Sequence, residues 1–111
     1  MQNSLQVVFH GMDHSDALEQ RVHEEFGKLE KFHQHLTDCR VTVEAPHRHQ
    51  RKGKLFDIAI NLSVPGGGLT ARTGSANNPA HEDAHIALRD AFQSITRQLK
   101  ELNERQKAHR A

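Results

Sequence analysis

Three stretches of the chain alternate apolar and polar residues with a period of two, at residues 5–9, 39–43 and 56–64. This period places successive side chains on opposite faces of a strand, so each stretch predicts a β-strand with one apolar face. The third stretch is the longest and most regular, and we expect it in the interior of the sheet. Pro65 and the glycines that follow it predict a turn into a fourth, short strand at residues 69–73.

Two longer stretches repeat apolar residues at spacings of three and four, which is typical of a helix with one apolar face. The first predicts a helix at residues 16–34, with Ser15 placed to cap its N-terminus. The second predicts a helix at residues 82–106, with Glu82 and Asp83 at its start. The apolar stripes are Leu18, Val22, Phe26, Leu29 and Phe32 on the first helix, and Ala84, Leu88, Ala91, Phe92, Ile95, Leu99 and Leu102 on the second.

The order of these elements, β-α-β-β-β-α, predicts an α+β fold. The first two strands flank a helix and can pair in parallel through a right-handed crossover, whereas the shorter links that follow favour antiparallel hairpins. Since each helix has one apolar stripe, we expect a four-stranded sheet with both helices packed on one face. A length of 111 residues suits one domain, assigned to residues 1–106, followed by a polar tail at residues 107–111.

Composition excludes several classes of protein. No apolar run approaches the roughly 20 residues that span a bilayer, so we predict no membrane partner. Cys39 is the only cysteine, which rules out an intramolecular disulfide and fits a reducing cytoplasm. Because Cys39 lies within an alternating apolar pattern, it is interpreted as a small buried hydrophobe rather than a nucleophile.

The net charge is only +1, from 15 basic and 14 acidic residues, so total charge indicates no particular partner. The distribution is more informative. A loop at residues 47–54 has no acid, one lane of the second helix is basic, and one edge of the first helix is basic except where Glu24 interrupts it. Asp90 falls in a different lane from the cations of the second helix. The candidate cations are Arg48, Arg51, Lys52 and Lys54 in the loop, Lys28 and Lys31 on the first helix, and Arg89, Arg97 and Lys100 on the second.

These cations predict binding to a polyanion, because lysine and arginine gain affinity for phosphates by releasing condensed counterions. The amides of Gln93 and Gln98 can add hydrogen bonds to phosphate or ribose. Two other interpretations stay open at this point. A basic loop is often merely solvated, and cations near a helix C-terminus are favoured by the helix dipole.

Histidine raises the question of a metal site. His47 and His49 would point the same way on an extended segment, and His81 and His85 are one helical turn apart. Without a second cysteine or a suitably spaced acid, structural or RNA-facing histidines are favoured, and no metal or cofactor is predicted. The chain also lacks a glycine-rich phosphate loop and a serine elbow, so we predict neither an enzyme nor a small-molecule substrate.

Three segments, together with the element order, carry a resemblance to a known family. They are FGKLEKF at residues 26–32, ALRDAF at residues 87–92 and RQLK at residues 97–100. In these features the chain resembles the hibernation-promoting factor family, which includes the ribosome-associated inhibitor Y proteins and was formerly described as sigma-factor modulation proteins. The resemblance implies a fold similar to a double-stranded RNA-binding domain. It also implies binding to ribosomal RNA of the small subunit, in the channel for messenger and transfer RNA, with translation blocked by occupancy under stress or in stationary phase.

By position, the basic helical surface of that family corresponds here to Lys28, Lys31, Arg89, Arg97 and Lys100. Members of the family commonly continue with more basic and aromatic residues, whereas this chain continues with ELNE at residues 101–104. Its loop at residues 47–54 is also more basic and richer in histidine than in the best-known members, which indicates a divergent branch. We therefore expect weaker or more salt-sensitive binding, or a footprint shifted toward the loop at residues 47–54. The chain is expected to act as a short form and as a monomer away from the ribosome.

One alternative function stays open. The polar face of the predicted sheet, which includes Arg40, Thr42, Asn61 and Arg72, would suit a regulatory module that binds another protein without binding the ribosome.

Overall fold

A computed structural model of the chain describes residues 4–32, 36, 38–46, 55–74 and 78–110. Within these residues the elements follow the predicted order, with one additional short helix that the sequence pattern did not predict. They are β1 (Ser4–His10), α1 (Asp16–Phe32), β2 (Asp38–Glu44), β3 (Asp57–Val64), β4 (Gly67–Arg72), a 3-10 turn (Pro79–Glu82) and α2 (Ala84–Arg110).

The four strands form one sheet in the order β1-β2-β3-β4. β1 pairs in parallel with β2, with Val7 opposite Val41, as the crossover through α1 predicts. β2 pairs antiparallel with β3, and β3 pairs antiparallel with β4. The prediction that the most regular strand, β3, lies inside the sheet is confirmed.

Both helices pack on the same face of this sheet. α2 contacts β3 and β4, α1 contacts β1, and the two helices contact each other. Apolar residues of both helices and of the inner faces of the strands form one core, in which Val41, Ile58 and Ile60 have 0% of their surface exposed. Burying one such side chain contributes roughly 1.5–3 kcal/mol, so this shared core holds the two layers together. The predicted α+β architecture is confirmed.

The start of each helix is fixed by a side-chain cap. The Ser15 hydroxyl accepts a hydrogen bond from the amide of Leu18 at 3.2 Å, so α1 begins at the predicted residue. The Asp83 carboxylate accepts from the amide of His85 at 2.9 Å, and α2 begins one residue later than that cap. The predicted end of α1 lies outside the described residues, whereas α2 continues past its predicted end and includes residues 107–110.

The turn between β3 and β4 is tighter than predicted. Gly67 and Gly68 were expected in the turn, but they pair with Val64 and Ser63 as the first residues of β4. Pro65 and Gly66 alone form the turn, and Gly66 has a φ of +89°, a conformation that favours glycine.

Two further predictions concern burial and membranes. Cys39 is 2% exposed, and burial raises the pKa of its thiol to about 12, which confirms that it serves as a buried hydrophobe. Within the described parts of the chain, neither α1 nor α2 is long and apolar enough to cross a membrane.

Candidate nucleic-acid interface

A groove with a volume of about 360 Å³ runs between α1 and α2. Phe92 forms its floor and is only 2% exposed, so the ring itself is closed to solvent. The lining includes two cations, one acid and two neutral polar side chains, so it has a net positive charge. The residues that line it are Glu25 of α1 and Phe92, Gln93, Thr96, Arg97 and Lys100 of α2.

The wall contributed by α1 is lined by Glu25, an acid that pairs with two cations of the same helix. Lys28 Nζ lies 2.9 Å from Glu25 Oε2, and Arg21 Nε lies 3.9 Å from the same oxygen. Spacings of three and four residues place all three side chains on one face of α1. The Glu25 side chain is only 13% exposed, whereas that of Lys28 is 71% exposed. The acid is therefore less exposed than the lysine that pairs with it.

An acid that the sequence analysis did not single out lines the groove. Glu24 was expected to interrupt the basic edge of α1, and it is exposed. Glu25, the next residue, is the acid that lines the groove. Both positions lie three or four residues from Arg21 and from Lys28, so helical spacing alone does not distinguish them.

The guanidinium of Arg89 contacts a neighbouring acid. Nη2 and Nε of Arg89 lie 3.3 Å and 3.4 Å from Asp90 Oδ1. Asp90 occupies a different lane of the helix, but the long arginine side chain folds back over this next residue. The Arg89 side chain is still 52% exposed and can meet a ligand.

The other oxygen of Asp90 bonds to a buried histidine. His81 Nε2 lies 2.7 Å from Asp90 Oδ2, and the His81 side chain is 3% exposed. The hydrogen bond from His81, assisted by Arg89, lowers the pKa of the Asp90 carboxyl below its usual value. Sequence reasoning treated His81 and His85 as one turn of a helix, but α2 begins at Ala84 and His81 belongs to the 3-10 turn. The structural interpretation of His81 is confirmed.

Metal binding gains no support from the described residues. Among residues 4–32, 36, 38–46, 55–74 and 78–110, no group of three or more histidine, cysteine, aspartate or glutamate side chains could hold a metal ion. His47 and His49, the other candidate pair, lie outside these residues.

Gln98 has a different role from the one predicted. Its Nε2 donates to the main-chain carbonyl of Thr70 at 3.0 Å. The amide therefore connects α2 to β4 and is not an open donor for a phosphate. Gln93 is exposed in the groove and keeps the predicted position.

The predicted cations therefore fall into three groups. Arg97 and Lys100 line the groove, and Lys28 is paired with the acid on its opposite wall. Lys31 is exposed in the last turn of α1, and Arg89 lies two turns before Arg97 on α2. The candidates from the basic loop, Arg48, Arg51, Lys52 and Lys54, lie outside the described residues.

The outer face of the sheet is polar and is not covered by either helix. Arg72 Nη2 lies 2.6 Å from Asp57 Oδ2, and this hydrogen bond raises the pKa of the arginine. The Thr70 hydroxyl donates to Asn61 Oδ1 at 3.0 Å across the neighbouring strands. Arg40 is exposed on the same face, so the surface expected for the alternative function is present.

Comparison with known proteins identifies the family. A ribosomal subunit interface protein from Coxiella burnetii has a TM-score of 0.70 at 14% sequence identity, covering 91% of this chain and 98% of that chain. The N-terminal domain of Thermus thermophilus Protein Y has a TM-score of 0.69 at 17% identity, covering 91% of this chain and 99% of that chain. These likenesses show the fold. The family described as Sigma 54 modulation protein / S30EA ribosomal protein matches residues 5–107, and the chain therefore belongs to that family.

Proposed function

We propose that this protein is a ribosome-associated hibernation factor that inhibits translation by binding small-subunit ribosomal RNA in the channel for messenger and transfer RNA, under stress or in stationary phase. The single observation that carries the proposal is the groove of net positive charge between α1 and α2. It occurs on a chain whose family is described as Sigma 54 modulation protein / S30EA ribosomal protein. One of the two similar structures is itself described as a ribosomal subunit interface protein.

The groove suits the sugar-phosphate backbone of RNA better than its bases. Arg97 and Lys100 on one wall and Lys28 on the other supply charge-assisted contacts to phosphates. Gln93 supplies an amide that can donate to phosphate or ribose oxygen. Phe92 is too deeply buried to stack on a base, so the lining favours binding that depends little on RNA sequence.

Inhibition then follows from occupancy alone. A folded domain bound to ribosomal RNA in the messenger and transfer RNA channel excludes those ligands, and no bond is made or broken. We therefore propose a non-catalytic protein without a cofactor or small-molecule substrate, monomeric away from the ribosome and located with ribosomes in the cytoplasm. The segment 47–54 would extend the contact through Arg48, Arg51, Lys52 and Lys54.

Co-sedimentation with purified small subunits over a series of salt concentrations tests this proposal. The double substitution Arg97→Ala, Lys100→Ala should weaken binding and reduce the slope of log affinity against log salt by about two. Arg40→Ala, on the opposite face of the sheet, is the matched control and should change neither quantity. Absence of binding by the native protein at low salt would refute the proposal.

The open outer face of the sheet supports a second candidate, a regulatory module that binds another protein. Arg40 is exposed there, and neither helix covers the polar side chains of the strands. This candidate predicts the reverse pattern in the same variants. A partner that survives nuclease treatment and is lost with Arg40→Ala, but not with Arg97→Ala, Lys100→Ala, would favour it.

A further inference from the structure

His81 is a buried polar side chain with an incomplete set of hydrogen bonds. It is 2% exposed, its Nε2 lies 2.7 Å from Asp90 Oδ2, and its Nδ1 is buried without a hydrogen-bond partner among the described residues. Because a carboxylate accepts hydrogen bonds, Nε2 carries the proton in this pair. A leucine would fill such a position without leaving a ring nitrogen unsatisfied. Packing alone therefore does not account for histidine here.

The main chain of His81 joins two parts of the molecule. Its amide donates to the carbonyl of Asn78 at 2.9 Å within the 3-10 turn, and the Asn78 side chain caps that turn. Its carbonyl accepts from the amide of Phe56 at 2.9 Å. Phe56 comes directly before β3 and two residues after Lys54, the last cation of the basic segment. His81 thus joins the start of β3 to the 3-10 turn.

The side chain of His81 reaches the other candidate RNA-binding region through Asp90. One oxygen of Asp90 is bonded to His81, and the other lies within 3.4 Å of Nε and Nη2 of Arg89. Consecutive residues of a helix do not normally face each other, so Arg89 must fold back to make this contact. A carboxylate anchored at one oxygen presents the other at a fixed place. The guanidinium keeps N–H donors that are not used by Asp90.

We propose that His81 is a positioning residue for RNA binding. Through Asp90 it holds the guanidinium of Arg89 ready for a phosphate. This proposal rests on the proposed function and adds to it, because it assigns a role to a side chain that is itself closed to solvent. A fixed guanidinium loses less conformational freedom on binding than a mobile one.

A double-mutant cycle on small-subunit affinity separates positioning from simple structural support. In the native background, Arg89→Ala should weaken small-subunit affinity about fivefold. In the His81→Leu background, where Asp90 is released, the same substitution should weaken affinity less than about twofold. In the His81→Gln background, Arg89→Ala should again weaken affinity almost as much as in the native protein, since the glutamine amide can still donate to Asp90. An equal cost of Arg89→Ala in native and His81→Leu backgrounds would overturn the proposal. Asp90→Asn, which keeps the size of the side chain, serves as the releasing variant if His81→Leu does not fold.

A second measurement does not depend on RNA. In NMR spectra of the free full chain, the Arg89 Nε–H should exchange slowly with water, and exchange should accelerate in His81→Leu and Asp90→Asn but not in His81→Gln. An Arg89 signal that is unchanged in folded Asp90→Asn would overturn the positioning role. Loss of the proposed function would instead appear as failure of the native protein to bind small subunits, with these NMR differences intact.

Discussion

The groove between α1 and α2 and the outer face of the sheet both present cations to solvent, but they differ in how those cations are paired. On the outer face, Arg72 is 2.6 Å from Asp57, and the same carboxylate accepts from the amide of Gly74 at 3.1 Å. In the groove the charges are arranged differently: Glu25 is shared by Arg21 and Lys28, while Arg97 and Lys100 come from the other helix.

This difference bears directly on phosphate binding. An arginine that already bonds to a carboxylate must give up that bond, or share it, before it gains from a phosphate. Arg21 and Lys28 together outweigh the single negative charge of Glu25. Arg97 adds a further positive charge on the opposite wall. The pairing of the side chains favours the groove.

The largest expected effect comes from reversing charge in the groove. Arg97→Glu combined with Lys100→Glu should lower affinity for small subunits about 100-fold at low salt, because two favourable phosphate contacts become repulsive. Arg40→Glu should lower it by less than about threefold, since that residue lies on the other face. Equilibrium binding at several salt concentrations measures both. Similar losses from the two faces would contradict the comparison.

A smaller effect is expected from crowding the outer face. A Cβ atom at Gly74 would lie 2.6 Å from Asp57 Oδ2, so Gly74→Ala should displace the carboxylate and break its bond to Arg72. We expect a loss of about 1 kcal/mol in the free energy of unfolding, measured by urea denaturation. Small-subunit affinity should stay within about twofold of native. A large loss of affinity in a protein that remains folded would show that the outer face takes part in binding.

Removing the acid from the groove should act in the opposite direction. Glu25→Gln keeps the size of the side chain and removes the one negative charge that lines the groove in the described part of the chain. Affinity for small subunits should rise about threefold at low salt, with the gain shrinking as salt increases. The loss of the ion pair with exposed Lys28 should cost about 0.5 kcal/mol of stability at most. Weaker binding in this variant would indicate that Glu25 itself contacts the ligand.

The elements of the fold were predictable from sequence because their signals are local. Alternation in β3 and the stripes of α1 and α2 follow from which residues face the core, and Ser15 lies next to the helix that it caps. The 3-10 turn was missed because Asn78 and Pro79, which start it, are equally typical of a loop. Burial of His81 was not predictable, since it depends on a partner nine residues away across a change of element.

The pairing of cations was harder to predict than their positions. A helical wheel places Arg89 and Asp90 about 100° apart, yet side-chain flexibility brings the guanidinium back to the carboxylate. Gln98 donates to the main-chain carbonyl of Thr70 on β4, and no local sequence pattern indicates this contact. The candidate site was therefore predicted as a set of residues, and its electrostatics required the tertiary structure.

The smallest expected effect concerns Arg89, which lies on the helix of the groove and contacts Asp90 at 3.3 Å, a longer contact than the 2.6 Å of Arg72 on the outer face. The hydrogen bond from His81 lowers the pKa of Asp90 in the folded protein, so Asp90 stabilises the fold fully above its unfolded pKa of about 3.9. That contribution is lost as the pH falls through the lowered folded-state pKa. Asp90→Asn has no such proton to bind, so its midpoint of thermal unfolding should fall less steeply than that of the native protein below about pH 4. Parallel profiles for the two proteins would mean that Asp90 is not held by His81, and Arg89 would then lack the fixed carboxylate that positions it.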